Sequence, residues 1–268
     1  MTKITTFITF KRFSSISYMN DTNIPIQLTL VVPCYNEADR VGLLYGGLDS
    51  FIEKWKDFLE IIIINDGSKD NTETLLQEHE VYKRHKDIIS IYTQANTGKG
   101  GALKNGVSRA RGNYILTLDA DMASPPEELI KWLDLLHGSF AANTIYVGSR
   151  EHKDSVITKQ GDRKLAGNIF NFIVRVLSPL KIRDTQCGFK LYPADIAKEI
   201  FASLQTYGWA HDVEILYKAY LKKVNIIEMP LTWNAIEGSK INLVRDGFNM
   251  MKEILVIVAR TRLQNRKK

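Results

Sequence analysis

Two carboxylates one residue apart, Asp119 and Asp121, follow the apolar run of residues 114–118. Because side chains alternate between the two faces of an extended chain, both carboxylates are expected on the same side of the backbone. Neighbouring anions repel each other unless a cation lies between them, and oxygen ligands of this kind suit Mg²⁺ or Mn²⁺. A strand end followed by an Asp helix cap is the simpler explanation of an isolated Asp-x-Asp. The remaining motifs favour the metal.

Two glycine-containing motifs indicate a nucleotide. Residues 65–68 read Asn-Asp-Gly-Ser, and Asp66 leaves the preceding strand where it could accept hydrogen bonds from a nucleobase, although turn and capping chemistry explains the same residues. Residues 98–101 read Gly-Lys-Gly-Gly and open a helix. They do not form a P-loop, because the earlier glycine and the Ser or Thr after the lysine are absent. A helix N-terminus beside Lys99 favours a nucleotide phosphate.

Cationic residues dominate the stretch 150–190, and the chain carries a formal net charge of +6. A solvated basic face is the ordinary explanation of such a stretch. Arg150, however, follows an apolar run and is expected at a strand end near the proposed metal, so the charge favours an anionic acceptor. Nucleic acid is not expected as a partner, because no aromatic-studded basic platform or recognition helix accompanies the charge.

Short apolar runs alternate with helical patterns through the first half of the chain. The predicted strands are 28–34, 59–64, 88–92, 114–118 and 144–148, and the predicted helices are 41–58, 71–84, 102–110 and 127–136. This alternation is typical of an α/β fold with a doubly wound, mostly parallel sheet, in which ligands bind beyond the carboxyl ends of the strands. Each polar motif either follows a predicted strand or forms the start of a predicted helix at that edge.

The second half predicts helices over 168–177, from 195, over 212–221 and over 247–262, with strands over 188–192 and 225–233. The last helix has a stripe of five apolar residues at helical spacing: Val244, Phe248, Met251, Leu255 and Val258. Its end, residues 260–268, carries five cations: Arg260, Arg262, Arg266, Lys267 and Lys268. This pattern fits an interfacial helix on an anionic membrane surface, and it fits a helix packed on the domain about equally well.

Composition places the chain among ordinary globular proteins, with 268 residues, 44% hydrophobic and 25% charged. Cys34 and Cys187 form neither a metal-ligand spacing nor a disulfide framework, which favours the cytoplasm or the cytoplasmic face of a membrane. No apolar run approaches the ~20 residues of a spanning helix. We expect a disordered leader over 1–24 in which Met19 could be the true start, one domain over 25–235, and a C-terminal amphipathic helix with a basic tail over 236–268.

Taken together, the motifs resemble family 2 glycosyltransferases of the GT-A fold, which are Rossmann-like. The residues that carry the resemblance are 31–37 (Val-Val-Pro-Cys-Tyr-Asn-Glu), 64–68, 96–103, 118–121 and 148–150. Residues 184–190, 208–214, Trp233 and 238–240 are similar to the branch that contains dolichyl-phosphate β-glucosyltransferases and dolichyl-phosphate mannose synthases. The match runs from about residue 28 to about residue 258.

The resemblance implies an NDP-sugar donor, Mg²⁺ or Mn²⁺, inversion at the anomeric carbon and a polyprenyl phosphate acceptor. By position, it assigns five residues to the nucleoside: Pro33, Tyr35, Glu37, Ile64 and Asp66. It assigns the diphosphate and its metal to Asp119, Ala120 and Asp121. It assigns the acceptor phosphate or the donor diphosphate to Arg150, Arg163 and Lys240.

Two departures from the mannose synthases favour UDP-glucose over GDP-mannose as the donor. Those enzymes usually carry a Gln two residues after the second Asp as an extra metal ligand, and this chain has Ala123 there. They also often have an Arg shortly before the Gly-Ser-Lys motif, where this chain has Asn234, Ala235 and Glu237.

Two further acids, Asp184 and Asp212, are candidate catalytic residues whose role depends on the acceptor. A phosphate acceptor needs no general base, since its second pKa is about 6 and it is already anionic near pH 7. These two acids would then position cations or the sugar. If the acceptor is instead a saccharide hydroxyl, as in surface-polysaccharide synthesis, one of them is the expected base. A catalytically silent nucleotide-sugar binding module is a further alternative.

Overall fold

The structure is a computed structural model, and it describes residues 7–9, 26–158, 174, 177–208, 210–234 and 252–261. Most of the leader predicted over 1–24, Arg163, Lys240 and most of the helix predicted over 168–177 lie outside these residues. Within the first 24 residues, the short strand β1 (Phe7–Thr9) pairs antiparallel with β6 (Ser139–Ala141).

A seven-stranded sheet forms the centre of the domain, in the order β10-β7-β9-β5-β2-β3-β4. These strands are β2 (Leu28–Cys34), β3 (Leu59–Asn65), β4 (Ile89–Thr93), β5 (Tyr114–Thr117), β7 (Thr144–Gly148), β9 (Lys190–Pro193) and β10 (Asn225–Met229). All pairs are parallel except those that β9 makes with β5 and β7. The predicted mostly parallel α/β sheet is confirmed.

The strand β9 enters the sheet in the reverse direction, so that its first residue lies at the edge where its neighbours end. Lys190 pairs with Thr117, the last residue of β5, and with Val147 near the end of β7. The segment before β9 therefore reaches the same edge as the Asp119 and Asp121 motif. Sequence periodicity alone does not reveal this direction.

Helices cover both faces of the sheet because successive strand residues point to opposite sides. Leu30 and Ile63 pack on the side of α1 (Val41–Trp55), whereas Val31 and Ile64 pack on the side of α4 (Lys99–Arg109). The other helices are α2 (Thr72–Glu78), α3 (Glu80–Arg84), α5 (Glu128–Leu135), α6 (Ala194–Ala202), α7 (His211–Leu221) and α8 (residues 252–261).

Three predicted elements differ in extent from those observed. The helix predicted over 71–84 is broken at His79, whose extended backbone (φ −62°, ψ 140°) separates α2 from α3. The strand predicted over 225–233 is split at Pro230, which has no N–H to donate to a ladder. Beyond it, β11 (Thr232–Asn234) leaves the main sheet and pairs with β8 (Val156–Thr158). The helix α4 begins at Lys99, three residues earlier than predicted.

The last helix, α8, packs against the domain through Ile254, Ile257 and Val258, which are buried in the core on the α4 side. The predicted stripe does not act as one face in this helix, because Val258 is buried while Leu255 is half exposed. The stripe positions Val244, Phe248 and Met251 lie outside the described residues. In the part of the chain that the structure describes, no helix has both the length and the apolar character needed to cross a membrane.

Candidate active site

The two carboxylates of the metal motif follow β5 at the carboxyl edge of the sheet. Asp119 Oδ1 lies 2.5 Å from Lys99 Nζ, and Asp121 Oδ1 accepts a hydrogen bond from the Ala123 N–H at 3.0 Å. Met122, which follows Asp121, has a left-handed backbone (φ 54°). Gly188 lies directly against the Asp119 carboxylate, and a Cβ at this position would overlap both carboxylate oxygens.

The charges at this edge favour an additional cation. Burial and the charge of Asp119 raise the pKa of Asp121, although the Ala123 N–H, Lys99 and Arg40 act in the opposite direction. Burial alone would lower the pKa of Lys99, but the carboxylates of Asp119, Asp212 and Asp121 raise it above its ordinary value. Lys99 is therefore a permanent cation that only partly relieves the repulsion of the carboxylate pair.

The donor set fits a divalent ion that shares its coordination with a substrate. Among the described residues, no group of three or more His, Cys, Asp or Glu side chains could hold a metal. The predicted ligands on this chain are Asp119 and Asp121, and Mg²⁺ typically uses one or two carboxylates and completes its shell with water and substrate phosphates. Ala123 offers no side-chain ligand, and its carbonyl accepts a hydrogen bond from the Asn234 N–H.

Asp66 holds the loop that leads into α4. Its carboxylate accepts hydrogen bonds from Gln94 Nε2 at 2.7 Å, from the Thr97 N–H at 2.9 Å and from the Gly98 N–H at 2.8 Å. The side chain is buried. These hydrogen bonds fix the backbone immediately before Lys99. The contact of Asp66 with a nucleobase stays a prediction.

The predicted nucleoside residues at the end of β2 have unequal exposure. Tyr35 is exposed, and Glu37 forms an ion pair with Arg40 at 2.9 Å. Pro33 is half-buried within β2, while Ile64 is fully buried in the core. Of these four side chains, Tyr35 is the most available to a planar base, and the Ile64 side chain supports the sheet below it.

A bidentate ion pair joins Arg150, after β7, to Asp184. Asp184 Oδ2 accepts from Arg150 Nε at 2.7 Å and from the Arg150 N–H at 3.0 Å, and Oδ1 accepts from the Arg150 Nη2 at 2.8 Å. Burial raises the pKa of Asp184, but Arg150 and these hydrogen bonds lower it below its usual value. Both oxygens of this buried carboxylate are engaged, so Asp184 holds the guanidinium in place above the Trp233 ring, 5.6 Å from its centroid.

A second buried ion pair joins Lys190 at the start of β9 to Asp212 at the start of α7. Lys190 Nζ lies 2.7 Å from Asp212 Oδ1 and also donates to the Cys187 carbonyl. His211 Nε2 lies 3.4 Å from Asp212 Oδ2. Burial raises the pKa of Asp212, whereas His211, Lys190 and Lys99 lower it below its usual value. A general-base role for Asp184 or Asp212 stays a prediction, because each carboxylate has a cationic partner here.

Sequence reasoning singled out His211 as the one histidine near this site, but it did not identify Lys190 or Gly188 as parts of it. The sequence does carry a signal for Lys190, since a lysine inside a predicted apolar strand needs a buried partner of opposite charge. The structure brings together Asp119, Asp121, Lys99, Asp212, Arg150 and Asp184 through direct contacts or electrostatic interactions. Ala120 lies buried between the two metal-motif acids.

The family model described as glycosyl transferase family 2 matches residues 29–201 of this chain. The chain belongs to glycosyltransferase family 2. The family match covers the metal motif, the Asp66 loop, Arg150 and Asp184, and the chain is a glycosyltransferase with the GT-A fold.

Curated relatives of this family 2 chain carry a common description. A dolichyl-phosphate beta-glucosyltransferase of Homo sapiens is 38% identical over 242 residues, covering 86% of this chain and 74% of the relative. The protein of the same name in Saccharomyces cerevisiae is 35% identical over 247 residues, covering 87% of this chain and 74% of the relative.

Two solved structures have the same fold as this chain at low sequence identity. Mannosyl-3-phosphoglycerate synthase from Rubrobacter xylanophilus matches with a TM-score of 0.60 and 19% identity, covering 91% of this chain and 76% of that protein. Glucosyl-3-phosphoglycerate synthase from Mycobacterium tuberculosis, solved with Mn²⁺, UDP and glucosyl-3-phosphoglycerate, matches with a TM-score of 0.57 and 13% identity, covering 87% of this chain and 78% of that protein.

Proposed function

We propose that this enzyme transfers glucose from UDP-glucose to a dolichyl or other polyprenyl phosphate, with inversion at the anomeric carbon and with Mg²⁺ or Mn²⁺ as cofactor. The observation that carries the proposal is that the paired acids Asp119 and Asp121 and the Arg150–Asp184 ion pair lie at the same edge of the sheet. The dolichyl-phosphate beta-glucosyltransferases that match most of the chain support the choice of sugar and acceptor.

The residues divide the work between the two substrates. Asp119 and Asp121 would hold the divalent ion, which would supply positive charge to the donor diphosphate. Asp184 fixes the Arg150 guanidinium in a geometry suited to phosphate oxygens. The acceptor phosphate attacks the anomeric carbon as an anion while the bond from that carbon to the donor diphosphate breaks and UDP leaves, so this chain needs no general base. Arg163 and Lys240 are proposed as further phosphate contacts on the basis of their motif positions.

The preference for UDP-glucose over GDP-mannose rests on Ala123 and on the residues that precede the Gly-Ser-Lys motif. Ala123 replaces the extra Gln ligand of mannose synthases, and the Ala123 carbonyl holds the Asn234 N–H at 2.8 Å. Tyr35 and Asp66 are the proposed contacts to the uracil base. The structural neighbour solved with Mn²⁺ and UDP supports a uridine donor within this fold.

A direct transfer assay tests the proposal. Purified enzyme is mixed with radiolabelled UDP-glucose, Mn²⁺ and dolichyl phosphate in detergent, and labelled glucolipid is extracted into organic solvent. We expect metal-dependent labelling of the lipid and little labelling from GDP-mannose. Glucose delivered only to a saccharide acceptor would replace this function with the polysaccharide alternative. Tight UDP-glucose binding without transfer to either acceptor would indicate the silent binding module.

We also propose that the enzyme acts peripherally on the cytoplasmic face of a membrane, with α8 against an anionic surface. Leu255 and Val256 are half exposed on the side of α8 that faces away from the core, and four cations follow in the sequence: Arg262, Arg266, Lys267 and Lys268. Apolar side chains combined with nearby cations are typical of interfacial helices.

Flotation with anionic vesicles tests the membrane proposal on the full chain. Because Leu255 and Val256 do not contribute to the core, replacing both with Glu is expected to reduce the vesicle-bound fraction several-fold while the melting temperature stays unchanged. The matched control is Leu43→Glu, an equally exposed leucine on α1. Equal flotation of the double variant and the control would contradict the role of α8.

A further inference from the structure

Lys99 lies at the metal motif itself. Its Nζ is 2.5 Å from Asp119 Oδ1, and its amine interacts electrostatically with Asp121 and Asp212 as well. A lysine ammonium and a divalent ion are both attracted to the same carboxylate oxygens, and two cations cannot share them at contact distance without strong repulsion. Asp119 therefore has an internal counter-ion that an incoming metal has to displace.

The backbone around Lys99 is fixed, whereas its amine can move. The Gly98 N–H is bonded to Asp66 at 2.8 Å, and the Gly100 N–H donates to the Tyr207 carbonyl at 3.0 Å. Gly100 is packed so closely against His211 and the carbonyl of Thr206 that a Cβ there would overlap them. The Lys99 side chain is about a third exposed, at 32%, on a flexible four-carbon stem. The ammonium group can thus exchange partners while α4 stays in place.

We propose that Lys99 competes with the divalent ion for Asp119 and moves to the donor diphosphate when the sugar nucleotide binds. This inference rests on the proposed function, since the diphosphate is the new partner of the amine. In the absence of donor, displacing Lys99 leaves an ammonium group without its carboxylate, so the ion alone binds weakly. When donor is present, its phosphates accept both cations. Metal and nucleotide then strengthen each other's binding, and the strengthening is reciprocal.

The experiment measures Mn²⁺ binding to the full chain by the electron paramagnetic resonance signal of free Mn²⁺, with and without UDP. For Lys99→Met we expect Mn²⁺ alone to bind at least tenfold more tightly than to the unaltered chain, because the competing charge is gone. The gain in Mn²⁺ affinity on adding UDP should shrink by at least the same factor. Lys99→Arg, which keeps the charge, should behave like the unaltered chain.

A matched control separates a local effect from a change in net charge. Lys83→Met removes an exposed lysine on α3 and should leave both Mn²⁺ affinities unchanged. Thermal melting verifies that each variant is folded.

If folded Lys99→Met binds Mn²⁺ alone no more tightly than the unaltered chain, Lys99 is not a competitor and the inference is wrong, while the proposed function stands. If the unaltered chain binds neither Mn²⁺ nor UDP, the proposed function itself fails.

Discussion

Asp121→Asn is expected to reduce glucose transfer to lipid phosphate by about 10²–10³-fold, the effect of losing one main source of transition-state charge stabilisation. The substitution removes the charge but keeps the shape and an acceptor oxygen for the Ala123 N–H. The fold should survive, because Asp121 is not part of the core. Initial transfer rates at saturating UDP-glucose, over a range of Mn²⁺ concentrations, give the measurement.

The same experiment includes a control acid that lies on α5. Asp134 is exposed, and Asp134→Asn should leave the transfer rate within twofold of the unaltered enzyme. If Asp121→Asn keeps most of its activity and the same dependence on Mn²⁺, the paired-acid motif does not hold the metal. The assignment of the donor diphosphate to this edge of the sheet would then be wrong.

Lys190→Met is expected to lower the free energy of unfolding by about 3–5 kcal/mol, because it leaves the Asp212 carboxylate buried without its cation. Lys190 has no exposed surface, and Asp212 is 5% exposed. In a chain of this length such a loss corresponds to a fall in melting temperature of roughly 6–20 °C. Thermal or urea unfolding provides the measurement.

Two further variants show whether the loss comes from the unpaired charge. Replacing both partners, with Lys190→Met and Asp212→Leu together, should restore much of the stability, since no buried charge is left alone. Lys56→Met breaks the solvent-exposed ion pair with Glu53 and should change stability by less than about 1 kcal/mol. A Lys190→Met variant as stable as Lys56→Met would show that the buried pair contributes little.

The pH dependence of the Lys190→Met effect follows from the lowered pKa of Asp212. A carboxylate whose pKa is lower in the folded than in the unfolded chain contributes stability above the unfolded value, about 3.9, and loses it as the pH falls below that value. His211, Lys190 and Lys99 cause this lowering against the effect of burial. The stability difference between the two proteins should therefore be largest near neutral pH and should narrow below about pH 4.

The sequence alone predicted which acidic and basic side chains lie at one edge of the sheet, but not the residues that hold them there. Asp119, Asp121 and Arg150 were predictable, because each follows an apolar run and strand ends converge at one edge of a parallel sheet. The direction of β9 was not predictable, since a four-residue apolar strand reads the same in either direction. The loop role of Asp66 was also hidden, because its partners Gln94 and Thr97 are about 30 residues away and carry no recognisable motif.

The inserted strand β9 has a mechanical consequence for catalysis. It is bonded to β5, which Asp119 and Asp121 follow, and to β7, which Arg150 follows, so one continuous sheet carries both groups of residues. The two groups are therefore not carried on separate lobes joined by a hinge, and the hydrogen-bond ladders of β9, rather than a domain movement, set the distance between them.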